Sequence, residues 1–221
     1  MKRREFSARL FGAGVGSAAL ALAAPAQAQA QAPAGPVEGT HYVRIGQPLP
    51  SPSGGKIEVI EFFWYGCPHC SSFEPMLDAW SKGLAADVAF RRVPVAFRDE
   101  PFAAHQRIFY ALEAMGQVDA MHRKVFYAIH NDRARLDKPA DIAAFMGKNG
   151  IDAAKFLEVF NSFSVQTKSR QAKQLADSYK IDGVPALGVQ GRFYTSGTLA
   201  GSNDKALAVV DFLVQRLRKG G

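Results

Sequence analysis

Ile57-Glu58-Val59-Ile60-Glu61-Phe62-Phe63-Trp64 leads through Tyr65-Gly66 into Cys67-Pro68-His69-Cys70. The first eight residues are almost continuously apolar, β-branched and aromatic. That is the pattern of a strand buried on both faces in the middle of an α/β sheet. Turn chemistry at Pro52-Ser53-Gly54-Gly55 opens it. The tetrapeptide starts a helix expected to reach about Ala86, in which Phe73, Met76, Leu77 and Trp80 recur at helical spacing and give one apolar face. Pro68 suits the first turn, where no amide hydrogen is missed, and Pro75 is expected to kink the middle. Val88 to Phe97 reads as a second strand, so 57–97 forms a β-α-β unit.

Beyond this unit the period becomes helical. Helices are expected over 101–115, 118–130, 139–148, 152–162 and 164–179, with breaks at Gly116, Asn131-Asp132, Pro139 and Gly150. In that block Phe109, Tyr110, Phe126, Tyr127, Phe156 and Phe160 read as core. Arg107, Arg123, Lys124, Lys168, Arg170 and Lys173 read as solvated faces, and His105, His122 and His130 as surface or satisfied helix residues. Two short strands follow, Pro185 to Val189 and Arg192 to Thr195, around a hairpin-like turn at Gln190-Gly191. An amphipathic helix over about Asn203 to Arg218 ends the chain.

In the other direction, residues 1–30 have the parts of an export signal. Lys2, Arg3, Arg4 and Arg9 precede an apolar run from Leu10 to Ala24, too short and too glycine-rich to span a bilayer. Small-residue cleavage sites follow up to Ala28-Gln29-Ala30, and Arg3-Arg4-Glu5-Phe6 matches a twin-arginine motif in part. Residues 31–40 read as a flexible leader. The working protein is expected in an oxidising compartment outside the cytoplasm.

Composition bounds the rest. A 221-residue chain that is 48% hydrophobic and 21% charged excludes a disordered or collagen-like protein. Roughly 190 residues after the export segment suffice for one core with an insertion. The net charge of +7, about +4 without that segment, is too mild to argue for nucleic acid as a partner. The only two cysteines share one tetrapeptide, which excludes a disulfide-stapled scaffold.

At a helix start, free amide hydrogens and the helix dipole favour the Cys67 thiolate. His69 adds to this by hydrogen bonding or charge. A sulfur that is stable as thiolate also leaves readily, so a disulfide to Cys70, one turn on, is reactive toward other thiols. A structural zinc site needs four ligands, whereas this motif supplies two and the other histidines lack ligand spacing. An inert structural disulfide gains little from so short a loop. No metal or cofactor is therefore expected. Glu61, a carboxyl in an apolar strand, is a candidate proton acceptor or donor for Cys70 if burial raises its pKa. The competing readings place it at an exposed strand end or pair it with Arg92 on the neighbouring strand.

On Glu61 to Cys70 the chain resembles the periplasmic thiol:disulfide oxidoreductases of the DsbA family. Pro-His between the cysteines is that family's typical variant, where reducing thioredoxins carry Gly-Pro. The resemblance implies an α/β, thioredoxin-like fold with an inserted all-helical subdomain: 41–98 and 181–221 form the thioredoxin-like part, and 99–180 the insertion. It puts Gly183-Val184-Pro185 at a cis-proline loop facing the cysteines, with Val184, Pro185 and Pro68 binding an extended substrate. It also partners the acid at Glu61 with a basic residue, for which Arg92 is the candidate. The implied activity is that of a monomeric protein disulfide oxidase. It would pass the Cys67–Cys70 disulfide to reduced, unfolded exported proteins through a mixed disulfide at Cys67, and a quinone-linked membrane partner of the DsbB type would reoxidise it. A disulfide isomerase or reductase of the same fold is the alternative, although residues 31–56 are too few for a separate dimerisation domain. A metal-binding or chaperone-like module is the non-enzymatic one.

Overall fold

The computed structural model describes residues 35–220. The expected export signal and the first part of the leader lie outside them. The strands are β1 (Val43–Arg44), β2 (Ile57–Phe63), β3 (Val88–Pro94), β4 (Ala186–Val189) and β5 (Phe193–Ser196). The helices are α1 (Pro68–Lys82), α2 (Phe102–Ala114), α3 (Val118–His130), α4 (Pro139–Lys148), α5 (Ala153–Phe160), α6 (Phe163–Tyr179), α7 (Gly197–Ala200) and α8 (Asn203–Arg218).

The sheet order is β1-β5-β4-β2-β3. β2 runs parallel to β3 and antiparallel to β4, and every residue of β2 after Ile57 is buried. The apolar run thus becomes a strand paired on both edges. Five helices, α2 to α6, separate β3 from β4. Apolar side chains gather in two buried clusters. One joins Ile60, Phe62, Phe63 and Tyr65 to α2–α6 residues such as Ile108, Phe126, Phe156 and Phe160. The other joins Val59, Phe73, Leu77, Leu187 and Phe193 to Leu207, Val210 and Leu213 of α8. The β4–β5 turn carries positive φ at both Gln190 and Gly191, the geometry that continues the right-handed twist of a tight hairpin.

Several expected details differ. α1 stops at Lys82, short of Ala86, because Gly83 ends it with its N–H on the Trp80 carbonyl, and it runs unbroken through Pro75. β3 ends at Pro94 rather than Phe97, which is exposed. Met76 and Tyr127, expected in cores, are exposed at 45% and 59%, since each helix docks on only part of its circumference. The expected leader ends before residue 40: the Thr40 and His41 amides bond the Val37 carbonyl, and Glu38 pairs with Arg44. No helix of the described residues is long and apolar enough to cross a membrane.

Candidate active site

Cys67 caps α1. Its extended backbone (φ −85°, ψ 117°) hands over to Pro68 at the first helical position. The Cys67 amide bonds the Trp64 carbonyl at 2.9 Å, and the Ser71 amide bonds the Cys67 carbonyl at 3.1 Å. Gly66 is required between them, because the Trp64 indole occupies the space where any β-carbon at 66 would stand. Both cysteines are thiols. Cys67 is 7% exposed and Cys70 fully buried, while Pro68 and His69 are exposed.

The two sulfurs differ sharply. A hydrogen bond from the Cys70 thiol holds the Cys67 thiol down, to about 6 from an ordinary 9.0, against the opposing effect of burial. The backbone amides of Cys70 and His69 and the charge of His69 add to it. Burial, that same donated bond and the charge of Glu61 push Cys70 far upward. Across from Cys67 the Val184-Pro185 bond is cis, and the Val184 carbonyl lies 3.4 Å from the Cys67 sulfur. Beside them a groove of about 570 Å³ is lined by His69, Ile181, Val184, Pro185, Tyr194 and Leu199.

Below the dithiol lies a largely buried, polar floor. Glu61 on β2 is fully buried and stands directly opposite Arg92 on β3. The Arg92 guanidinium lies 3.1 Å from Glu61 Oε2, but its fork is aimed elsewhere: Nε and Nη2 donate to the two oxygens of Glu74, at 3.1 and 3.0 Å. Neither Glu61 oxygen has an aligned donor among the described residues. Burial and the neighbouring Glu74 therefore raise Glu61 well above the usual carboxylate range, although Arg92 pulls the other way. Burial also acts on Glu74, but His122 and Arg92 outweigh it and hold that carboxyl below its ordinary value.

His122, on α3, completes the floor. Its Nε2 meets Glu74 Oε1 at 3.1 Å and its Nδ1 meets the Tyr65 hydroxyl at 2.8 Å. Burial lowers the affinity of His122 for a second proton and keeps the Tyr65 phenol neutral. With Glu74 ionised, a neutral ring satisfies both partners: Nε2–H donates to Glu74, and Nδ1 accepts from Tyr65. His130, two turns along α3, bonds the Tyr65 carbonyl at 2.8 Å through Nε2. Phe126 packs edge-on against Tyr65 between them.

The structure thus brings together Cys67, Cys70, His69, Val184, Pro185 and Glu61, with Pro68 at the rim. Glu61 is buried and beside Arg92, so the reading that pairs the two holds, and the exposed-end reading is excluded. The surface reading of the histidines needs correcting. His122 and His130 hold the active-site turn, and His105 is buried with Nε2 on the Arg135 carbonyl at 2.9 Å. Glu74, Tyr65 and His122 were missed as site residues. The one available signal was Glu74, an acid one helical turn after Cys70 on an otherwise apolar side of α1. Among the described residues no group of His, Cys, Asp and Glu side chains is placed to hold a metal ion.

A sheet of this order, with Cys-x-x-Cys heading α1 and a cis-proline opposite, defines a thioredoxin-like thiol:disulfide oxidoreductase. A family model described as a DSBA-like thioredoxin domain matches residues 58–208, and the chain belongs to the DsbA family. The thiol:disulfide interchange protein DsbA of Burkholderia cepacia is 43% identical over 187 residues, covering 84% of this chain and 88% of that protein. The one from Bordetella parapertussis is 46% identical over 179 residues, covering 80% and 85%. The crystal structure of Pseudomonas aeruginosa DsbA matches with a TM-score of 0.80 at 39% identity, covering 83% of this chain and 95% of that one.

Proposed function

We propose that this oxidoreductase works in the periplasm as a dithiol oxidase of exported proteins. A substrate thiolate attacks Cys67 Sγ in the Cys67–Cys70 disulfide, a bond forms between the two sulfurs, and the electron pair of the broken bond leaves on Cys70 Sγ. Glu61 supplies the proton that the buried Cys70 thiolate requires. A second substrate thiolate then attacks the substrate sulfur of the mixed disulfide and expels Cys67 as thiolate. The substrate is oxidised by two electrons and the enzyme reduced by two. Reoxidation falls to a quinone-linked membrane partner of the DsbB type. An extended substrate segment would lie along Val184 and Pro185 and fill the adjacent groove, with Pro68 at its edge.

One observation carries this reading: the thiolate is stabilised at Cys67 and opposed at Cys70. The reduced state is thereby favoured, so the disulfide is a strong donor. Following the ultraviolet absorbance of the Cys67 thiolate against pH tests it directly. A midpoint near 6 is expected, together with efficient oxidation of a reduced model peptide. A midpoint where a free cysteine titrates would overturn the assignment. Repair of a scrambled multi-disulfide substrate without net oxidation would move it to the isomerases.

A further inference from the structure

Two carboxyls, Glu61 and Glu74, share one guanidinium; both acids are buried, and the Arg92 side chain is only 15% exposed. One buried cation balances one buried anion, so such a triad retains a proton on one of its two carboxyls. We propose that His122 decides which one. By donating Nε2–H to Glu74, it makes Glu74 the carboxylate and leaves the shared proton on Glu61, the acid coupled to both sulfurs. His122 is thereby a positioning residue, acting from the helical segment on the dithiol through Glu74 and Arg92. The inference rests on the reading of Glu61 as the proton carrier for Cys70.

The geometry argues for this at each link. Arg92 puts two aligned N–H groups on Glu74 and none on Glu61. His122 adds a third donor to Glu74, and charge-assisted donors favour the ionised form. The tautomer that donates to Glu74 leaves Nδ1 free to accept from the Tyr65 hydroxyl, 2.8 Å away. Tyr65 is in turn fixed through its carbonyl by His130. The His122 ring packs against Phe63, Phe126 and Phe109, at 5.1, 5.2 and 5.9 Å between ring centres, which fixes its orientation. The charged or titratable groups acting on His122 are Glu74 from α1, Arg92 from β3, Tyr65 from the active-site turn and Asp119 from its own helix. Those acting on Glu61 are Glu74, Arg92 and Cys67. With the histidine donor gone, the two acids compete for Arg92 on closer terms, and the proton moves toward Glu74.

The test is a carbon-13 NMR titration of labelled glutamate carboxyls in the oxidised full chain, with signals assigned through Glu61→Gln and Glu74→Gln. In the unmodified protein the Glu61 carboxyl titrates above that of Glu74. In His122→Phe, which keeps an aromatic ring but no donor, the Glu61 midpoint is expected to fall by about one to two pH units, the size of one charged hydrogen bond. His122→Gln, which still offers an amide N–H at the Nε2 position, restores the order. Unmoved midpoints in folded His122→Phe, or a Gln variant that behaves like Phe, overturn the inference. If His122→Phe does not fold, His122→Asn, which reaches toward Tyr65 but not Glu74, takes its place under the same criterion. The underlying reading fails separately: thiol exchange at the unmodified rate in Glu61→Gln removes the relay yet leaves the carboxyl order to be read.

Discussion

Cys67 faces a groove, two exposed neighbours and a backbone carbonyl; Cys70, one turn further into α1, faces Glu61 and the buried chain from Arg92 to Tyr65. Under the proposed function the mouth has to admit and release a polypeptide, so its sulfur is tuned by hydrogen bonds and a solvent-exposed imidazole that leave access open. The floor lies beneath the dithiol. It tunes its sulfur by exclusion of water, and pays with buried charges that must be matched almost one for one. A redox pair that must ionise at one atom and stay protonated at the other, a few ångströms away, needs both environments across a single helical turn.

The comparison breaks most visibly in the floor. Arg92→Met leaves two buried carboxyls without their cation and should cost about 3–5 kcal/mol of stability. Arg91→Met removes the half-exposed partner of the single buried carboxyl of Glu58, paired at 2.9 Å on the same two strands, and should cost less, about 1–3 kcal/mol. Urea unfolding of both at neutral pH checks the contrast, and equal losses would mean that the floor is no different from a rim ion pair. The Arg92→Met deficit should also shrink on acidification, as the orphaned carboxyls take up protons.

A second effect belongs to the mouth and depends on pH. The Cys67 pKa is depressed in the folded dithiol to about 6 from 9.0. Its stabilisation is therefore fully present above about 9 and is lost as pH falls toward 6. The reduced protein should lose stability over that window, while the disulfide form, which has no thiol to ionise, should not. Parallel unfolding midpoints for the two redox forms decide it.

Smaller changes sharpen the boundary. Tyr65→Phe deprives His122 Nδ1 of its donor inside the floor and should cost about 1 kcal/mol, measured by thermal or urea unfolding. His69→Ala, at an exposed position of the mouth, should leave stability within about 0.5 kcal/mol. It should still raise the Cys67 midpoint slightly, since His69 is the weakest of the groups that lower it, and shift the equilibrium with glutathione toward a weaker oxidant.

What could be read from the sequence was local. The apolar run 57–64, the cysteine spacing and the hairpin residues Gln190-Gly191 each carry their own backbone logic, and the final helix falls on Asn203–Arg218 as expected. Glu61 stood out because it interrupts that apolar run. Glu74 offered only an acid on an apolar helix side and His122 offered nothing, because their pairing depends on α3 docking against α1 across 48 residues of chain. Phe126 and Tyr127 show the same limit. They are adjacent aromatic residues of equal helical standing, and only the docking direction buries one and exposes the other.

The cluster built on α8 has a practical consequence. It gathers Tyr42, Val59 and Phe193 with Leu207, Val210 and Leu213, and it is separate from the cluster that contains both cysteines. The packing around α8 is thus built from residues that share no cluster with either cysteine. An engineer who wants a hardier catalyst for bioprocessing can repack around α8 and leave the reagent's chemical temperament as it was.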